Sequence, residues 1–143
     1  MKINIHRIDK TLELPKYETN GSLAVDLYAR ETMEIEPRKV ARIPSNIVIK
    51  CPEELACLII PRSSLFNKKS LIFPHSIGLI DSDYCGAEDE ILIQVLNFGD
   101  EKVVVERGEK IAQMVFVKTE KADFVEVDAP GEDSRGGFGS TDE

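Results

Sequence analysis

Residues 91–118 read ILIQVLNFGDEKVVVERGEKIAQMVFVK. The stretch holds three apolar runs, Ile91–Leu96, Val103–Val105 and Ile111–Lys118, parted by clusters of Asn, Gly, Asp and charged residues. Short runs rich in Val and Ile and punctuated by turn formers predict strand, turn and strand. Outward from this stretch the same texture recurs at Ile3–Ile8, Leu23–Ala29, Val40–Ile43, Ile47–Lys50, Ala56–Ile60 and Leu71–Phe73. Met33-Glu34-Ile35-Glu36 alternates apolar and charged, as a half-buried strand does. Helical periodicity is confined to one or two turns near Ser63–Lys69, where Ser63 or Ser64 could cap a short helix. Many short strands at regular spacing predict an all-β barrel or sandwich.

A chain of 143 residues has room for one domain and buries enough surface to fold without disulfide or metal staples. Its 18 basic and 26 acidic residues leave a net charge of −8, which argues against nucleic acid or anionic lipid held on a broad basic surface. A phosphorylated small molecule stays open, because a few placed cations suffice for it. The longest apolar runs, Leu55–Pro61 and Ile91–Leu96, fall far short of the ~20 residues of a membrane span. The first ten residues, MKINIHRIDK, show no apolar secretion signal. Cys51, Cys57 and Cys85 are odd in number and lack CxxC spacing, so a reduced, cytoplasmic protein is expected. His6 and His75 complete no zinc set with them.

Residues 128–143 differ in kind: Gly131, Gly136, Gly137 and Gly139 stand among acids, with a single aromatic, Phe138. A domain at 1–127 and a mobile, glycine-rich tail at 128–143 are expected. Such a tail is ordinarily a frayed terminus. An aromatic ring inside GGFGST instead suits one that closes over a flat ligand.

Four further segments could carry chemistry, and each also has a plain structural explanation. Pro61-Arg62-Ser63-Ser64-Leu65 with Lys68 offers hydroxyls, backbone N–H groups and charge to an anion, or is only a turn and a cap. Gly78-Leu79-Ile80-Asp81-Ser82-Asp83-Tyr84 is a strand running into carboxylates, one of which could activate water, although Asp is common in turns. Gln113 interrupts the apolar run after Gly108, facing either solvent or a ligand. Asp26 lies inside Ala24-Val25-Asp26-Leu27, where burial requires a partner and a strand-edge position facing water does not.

The order and spacing of these segments, with Gly136-Gly137-Phe138-Gly139-Ser140-Thr141 as the fifth, resemble the trimeric dUTP pyrophosphatase (dUTPase) family over nearly the whole chain. The resemblance implies a jelly-roll-like β subunit, a homotrimer with shared active sites, and hydrolysis of dUTP to dUMP and pyrophosphate with Mg²⁺ on the triphosphate. By position, Asp81 would activate the water that attacks the α-phosphorus. Tyr84 would lie under the deoxyribose and reject a 2′-hydroxyl. The backbone from His75 through Gly78 to Tyr84 would pair with uracil. Arg62, Ser63 and Ser64 would meet phosphate, Gln113 would lie near the α-phosphate, and Asp26 would sit in the water shell of Mg²⁺. Phe138 would stack on uracil, and Arg135, the only cation after Lys121, would meet the γ-phosphate.

Some positions depart from the family pattern. Ala24 and Ser70 stand where Gly is usual, and His75 where Asn is usual. About three extra residues, carrying Glu88, Asp89 and Glu90, lie between Gly86 and Asn97, and Asp133 occupies the usual place of the tail arginine. A dCTP deaminase or bifunctional deaminase–dUTPase shares the fold but needs a base-proximal Glu, for which Glu88 or Glu90 is the candidate. A non-catalytic nucleotide sensor is disfavoured by the joint presence of Asp81, Tyr84, Gln113 and Phe138.

Overall fold

The computed structural model describes residues 1–134 and 136; the expectations for Arg135 and Phe138 fall on residues outside that range. Eleven strands and one short helix follow in order: β1 (Asn4–Arg7), β2 (Val25–Tyr28), β3 (Met33–Ile35), β4 (Val40–Pro44), β5 (Ile47–Lys50), β6 (Leu55–Pro61), α1 (Leu65–Lys69), β7 (Leu71–Ile72), β8 (Gly78–Ile80), β9 (Leu92–Asn97), β10 (Val103–Val105) and β11 (Lys110–Lys118). All strand pairs are antiparallel. They form four small sheets, ordered β2-β11-β6-β8, β4-β9-β7, β1-β5 and β10-β3, around one apolar core. The architecture is all-β and jelly-roll-like, as expected. No described helix is long and apolar enough to cross a membrane.

The period of two decides what each strand buries. In β9, Ile93, Val95 and Asn97 point inward while Leu92, Gln94 and Leu96 face outward or lie half-buried. Asn97 is polar and fully buried, and each of its groups is used. Its amide nitrogen donates to the carbonyls of Ile35 and Glu101, and its Oδ1 accepts from the Gly99 N–H. That side chain therefore shapes the β9–β10 turn and ties it to β3.

The helix start differs from expectation. Ser64 occupies the cap position of α1 but with helical dihedrals, φ −89° and ψ −6°, and its hydroxyl makes no capping bond. A capping side chain reaches back only when its own backbone is extended, so Ser64 keeps its oxygen for another partner. At the other end Ser70 takes the left-handed conformation (φ 53°) and donates its N–H to the Phe66 carbonyl. This is the position where the family usually has Gly, and the backbone shows why.

Candidate active site

The four-stranded sheet sets the site. Asp26 on β2 faces Gln113 on β11, which faces Ile60 on β6 across its other edge. β6 then ends, and Arg62 turns back over the row. Asp26 is buried (5% exposed), and the strand-edge alternative is thereby excluded. Arg62 Nε lies 3.0 Å from its Oδ1 and Lys110 Nζ 3.3 Å from its Oδ2, while Gln113 donates to Oδ1 at 3.3 Å. Two cations and an amide thus satisfy a carboxylate that burial would otherwise penalise by several kcal/mol, about the cost of an unpaired buried ion. Gln113, half-buried, belongs to this cluster through its bond to Asp26.

Lys110 is a site residue that the motif pattern does not single out. It also pairs with Glu18, and its ammonium sits 5.6 Å from the centre of the Tyr28 ring. Contact with Glu18, and then with Asp26, raises the Lys110 pKa, and Lys110 in turn lowers that of Glu18. The only local signal was a cation immediately before an apolar strand; its partners lie far away in sequence.

Next to this cluster a cavity of about 270 Å³ is lined by Arg62, Ser64, Leu65, Lys68, Lys69, Glu109 and Lys110. Four of those seven residues are cationic, on a chain whose net charge is −8. Lys69 pairs there with Glu109, and Arg62 and Lys110 with Asp26, so the lining keeps a modest excess of positive charge, with Lys68 outside those pairs, toward a compact polyanion. The free hydroxyl of Ser64 belongs to this lining. Ser63 does not: it lines a neighbouring cavity of about 290 Å³ with Leu71, Phe73 and Ser76.

The second part of the site is the hairpin that follows β7. His75 stacks on Phe73 with ring centres 5.7 Å apart, which turns its imidazole toward the protein. Gly78 faces Ile59, and a Cβ added at Gly78 would lie 3.2 Å from the Ile59 Cβ, so close pairing of β8 with β6 suits glycine. Asp81 and Tyr84 follow β8, both exposed, in a turn where Tyr84 N–H donates to the Asp81 carbonyl at 3.2 Å. The Tyr84 hydroxyl donates to the Glu90 carbonyl at 3.1 Å.

The hairpin starts beside the cluster, with Ser76 lining one cavity together with Arg62 and Ser63, and then carries Asp81 away from it along β6. Ile80 faces Cys57, three residues along β6 from Ile60, and Asp81 lies one residue further. At roughly 3.3 Å per residue and 4.8 Å per strand, Asp81 is on the order of 15 Å from the Asp26–Gln113 row. Among the described residues no group of three or more His, Cys, Asp or Glu could hold a metal ion.

The dUTPase family model matches residues 10–142. The chain belongs to the dUTPase family. The deoxyuridine 5′-triphosphate nucleotidohydrolase of Desulfitobacterium hafniense is 40% identical to it, across 99% of this chain and 95% of that protein. The crystal structure of dUTPase from Streptococcus mutans is 30% identical, with a TM-score of 0.77 over 84% of this chain and 98% of that one. A Staphylococcus bacteriophage 80alpha dUTPase variant solved with dUpNHpp is 22% identical and shares the fold, with a TM-score of 0.85 over 98% of both chains.

Proposed function

We propose that this dUTPase hydrolyses dUTP to dUMP and pyrophosphate, with Asp81 taking the proton of the water that attacks the α-phosphorus. The supporting observation is the cavity in which Arg62, Ser64, Lys68, Lys69 and Lys110 converge on an otherwise acidic chain. The four cations among them would hold the triphosphate and offset charge that grows on its oxygens during attack, with the Ser64 hydroxyl as a further donor. Gln113, half-buried and fixed by Asp26, would orient the α-phosphate. Asp81 is exposed at the end of β8, where its carboxylate can reach a water. Tyr84 would form the floor under the deoxyribose, and the hairpin backbone would read uracil, since the His75 ring is occupied by Phe73.

The donor set fits Mg²⁺ that arrives on the substrate. A hard cation of this kind keeps several waters and binds phosphate oxygens. Asp26 is the buried carboxylate of the cluster, already engaged by Arg62 and Lys110, so it would reach the ion only through water. Bound there, Mg²⁺ would neutralise phosphate oxygens and polarise the phosphorus.

The protein is proposed to act as a homotrimer in the cytoplasm. One copy would supply the hairpin, a second the phosphate-binding cations, and a third the tail at 128–143 with Phe138 and Arg135. The separation of Asp81 from the Asp26 row supports that sharing. Free Cys51, Cys57 and Cys85 agree with a reduced setting. Of the two acids a deaminase could use, Glu90 is engaged by Arg30 and Glu88 is exposed to solvent.

The test is Asp81→Asn, which keeps shape and loses the base. Pyrophosphate release from dUTP should fall by about 10²–10⁴-fold with nucleotide binding retained. Turnover near that of the parent would remove Asp81 from the role.

A further inference from the structure

The turn between β8 and β9 holds a chain of contacts that hydrolysis itself does not require. It begins at Tyr84, whose ring is partly exposed and whose hydroxyl donates to the carbonyl of Glu90 at 3.1 Å. That acceptor is backbone, in the same peptide group as the Ile91 N–H, which donates to the Ile47 carbonyl at 3.0 Å. The Glu90 side chain adds a second hold on the other side of residue 90. Arg30 grips it with two bonds, Nε to Oε1 at 2.9 Å and Nη2 to Oε2 at 3.0 Å, and the Asn46 N–H donates to Oε1 at 2.7 Å. A forked arginine–carboxylate pair is both stronger and more directional than a single bond. The pair is well shielded, with 11% of the Glu90 side chain and 25% of the Arg30 side chain exposed.

Both holders are themselves anchored. Arg30 N–H donates to the Pro44 carbonyl at 2.8 Å. Asn46 is buried, left-handed (φ 72°), and bonded through its side chain to both backbone groups of Asp9. The intervening residues close on themselves, because Asp89 Oδ2 accepts from the Gly86 N–H at 2.6 Å and the Asp89 N–H donates to the Gly86 carbonyl. The three extra residues of this turn therefore do not leave Tyr84 on a loose loop. They run from one bonded turn straight into a residue clamped to the body of the barrel.

We propose that Glu90 and Arg30 are positioning residues for substrate selection: their ion pair fixes the Glu90 carbonyl, which holds the Tyr84 ring in the place where it rejects a ribonucleotide. This rests on the assignment of Tyr84 as the floor beneath the deoxyribose. Rejection of a 2′-hydroxyl by shape requires a floor that does not yield, because a ring free to tilt by a fraction of an ångström admits the extra oxygen. Proton abstraction by Asp81 makes no such demand on residue 90. Loss of the clamp should therefore raise activity on UTP relative to dUTP more than it lowers the chemical step.

The experiment compares kcat/KM for dUTP and UTP with Mg²⁺, in the parent and in Tyr84→Phe, Glu90→Ala, Arg30→Met and Tyr84→Ala, at a temperature well below each variant's melting point. Tyr84→Phe keeps the ring and deletes only the hydroxyl, so it tests the link even if the Glu90 or Arg30 variants fold poorly. The expected result is a dUTP:UTP preference about fivefold narrower in Tyr84→Phe, the loss one hydrogen bond accounts for. A similar narrowing is expected in Glu90→Ala, with no further loss when the two are combined, since both break one chain of contacts. Glu88→Ala, in the same turn but exposed, should keep the parent preference. If Tyr84→Ala loses the preference while Tyr84→Phe and Glu90→Ala keep it, the clamp is overturned and the floor stands. Full additivity of Tyr84→Phe and Glu90→Ala also overturns the clamp. If Tyr84→Ala itself keeps the preference, the assignment of Tyr84 falls, and the clamp with it.

Discussion

Asp26 shows how one residue can read as polar noise in a strand and yet organise a site. A carboxylate between Val25 and Leu27 has to leave the core or be paired there, and here Arg62, Lys110 and Gln113 pair it. Asp26→Asn should keep the shape of the row but leave two cations without their partner. Arg62 is partly exposed and can regain water, so the expected loss is about 2 kcal/mol, less than for a wholly buried pair. Urea unfolding would measure it, and a loss under ~0.5 kcal/mol would contradict the account, matching an ordinary surface change. Cys57 makes a second residue-scale prediction. Burial, then proximity to Cys51, pushes its thiol from 9.0 up to about 12. Between those values the unfolded chain gives up a proton that the native chain keeps, so stability is intact below pH 9 and declines as pH rises toward 12. Thermal melts from pH 7 to 10.5 should show the decline begin near pH 9, and Cys57→Ser should flatten it. An equal decline in Cys57→Ser would assign it to other groups.

At the level of elements, α1 ends on a residue that pays for its backbone. Ser70 holds a left-handed conformation that favours glycine, and its N–H closes the helix on Phe66. Ser70→Gly should therefore stabilise by about 0.5–1 kcal/mol, part of the gain being returned through a looser unfolded chain. A shift of the urea midpoint to lower concentration would contradict it. The strands themselves are legible from local sequence. The stretch 91–118 becomes β9, β10 and β11 with ends moved by a residue, because alternation and turn formers act between neighbours in the chain. Pairing is not local. Gln113 meets Asp26 across 87 positions and Arg30 meets Glu90 across 60, and no pattern within either segment encodes that partner. The same limit explains why Ser63 and Ser64 look equivalent in sequence and diverge in space: the helical dihedrals of Ser64 turn it to the basic cavity, while Ser63 lines the apolar one.

At the scale of the whole molecule, the central claim is that the chain carries two complementary parts of one catalytic site and needs other copies to join them. Asp81, at the far end of the hairpin, follows the pairing of Ile80 with Cys57 near the start of β6, while the cluster with Arg62 follows its end. The order of motifs along the sequence carries the chemistry of both parts but gives no distance between them, so the sharing of sites enters the sequence reading only through family resemblance. The direct test is subunit mixing. Asp81→Asn and Arg62→Ala variants, each first assayed alone and expected to be inactive, are unfolded together in equal amounts, refolded, and assayed for pyrophosphate release from dUTP with Mg²⁺. If Asp81 and Arg62 of one site come from different copies, random assembly of a closed ring leaves about a quarter of the sites with both residues intact. The account predicts roughly that fraction of parent activity in the mixture. A mixture as inactive as its two components, with the parent recovering activity through the same refolding, would place Asp81 and Arg62 of each site on one chain and contradict it.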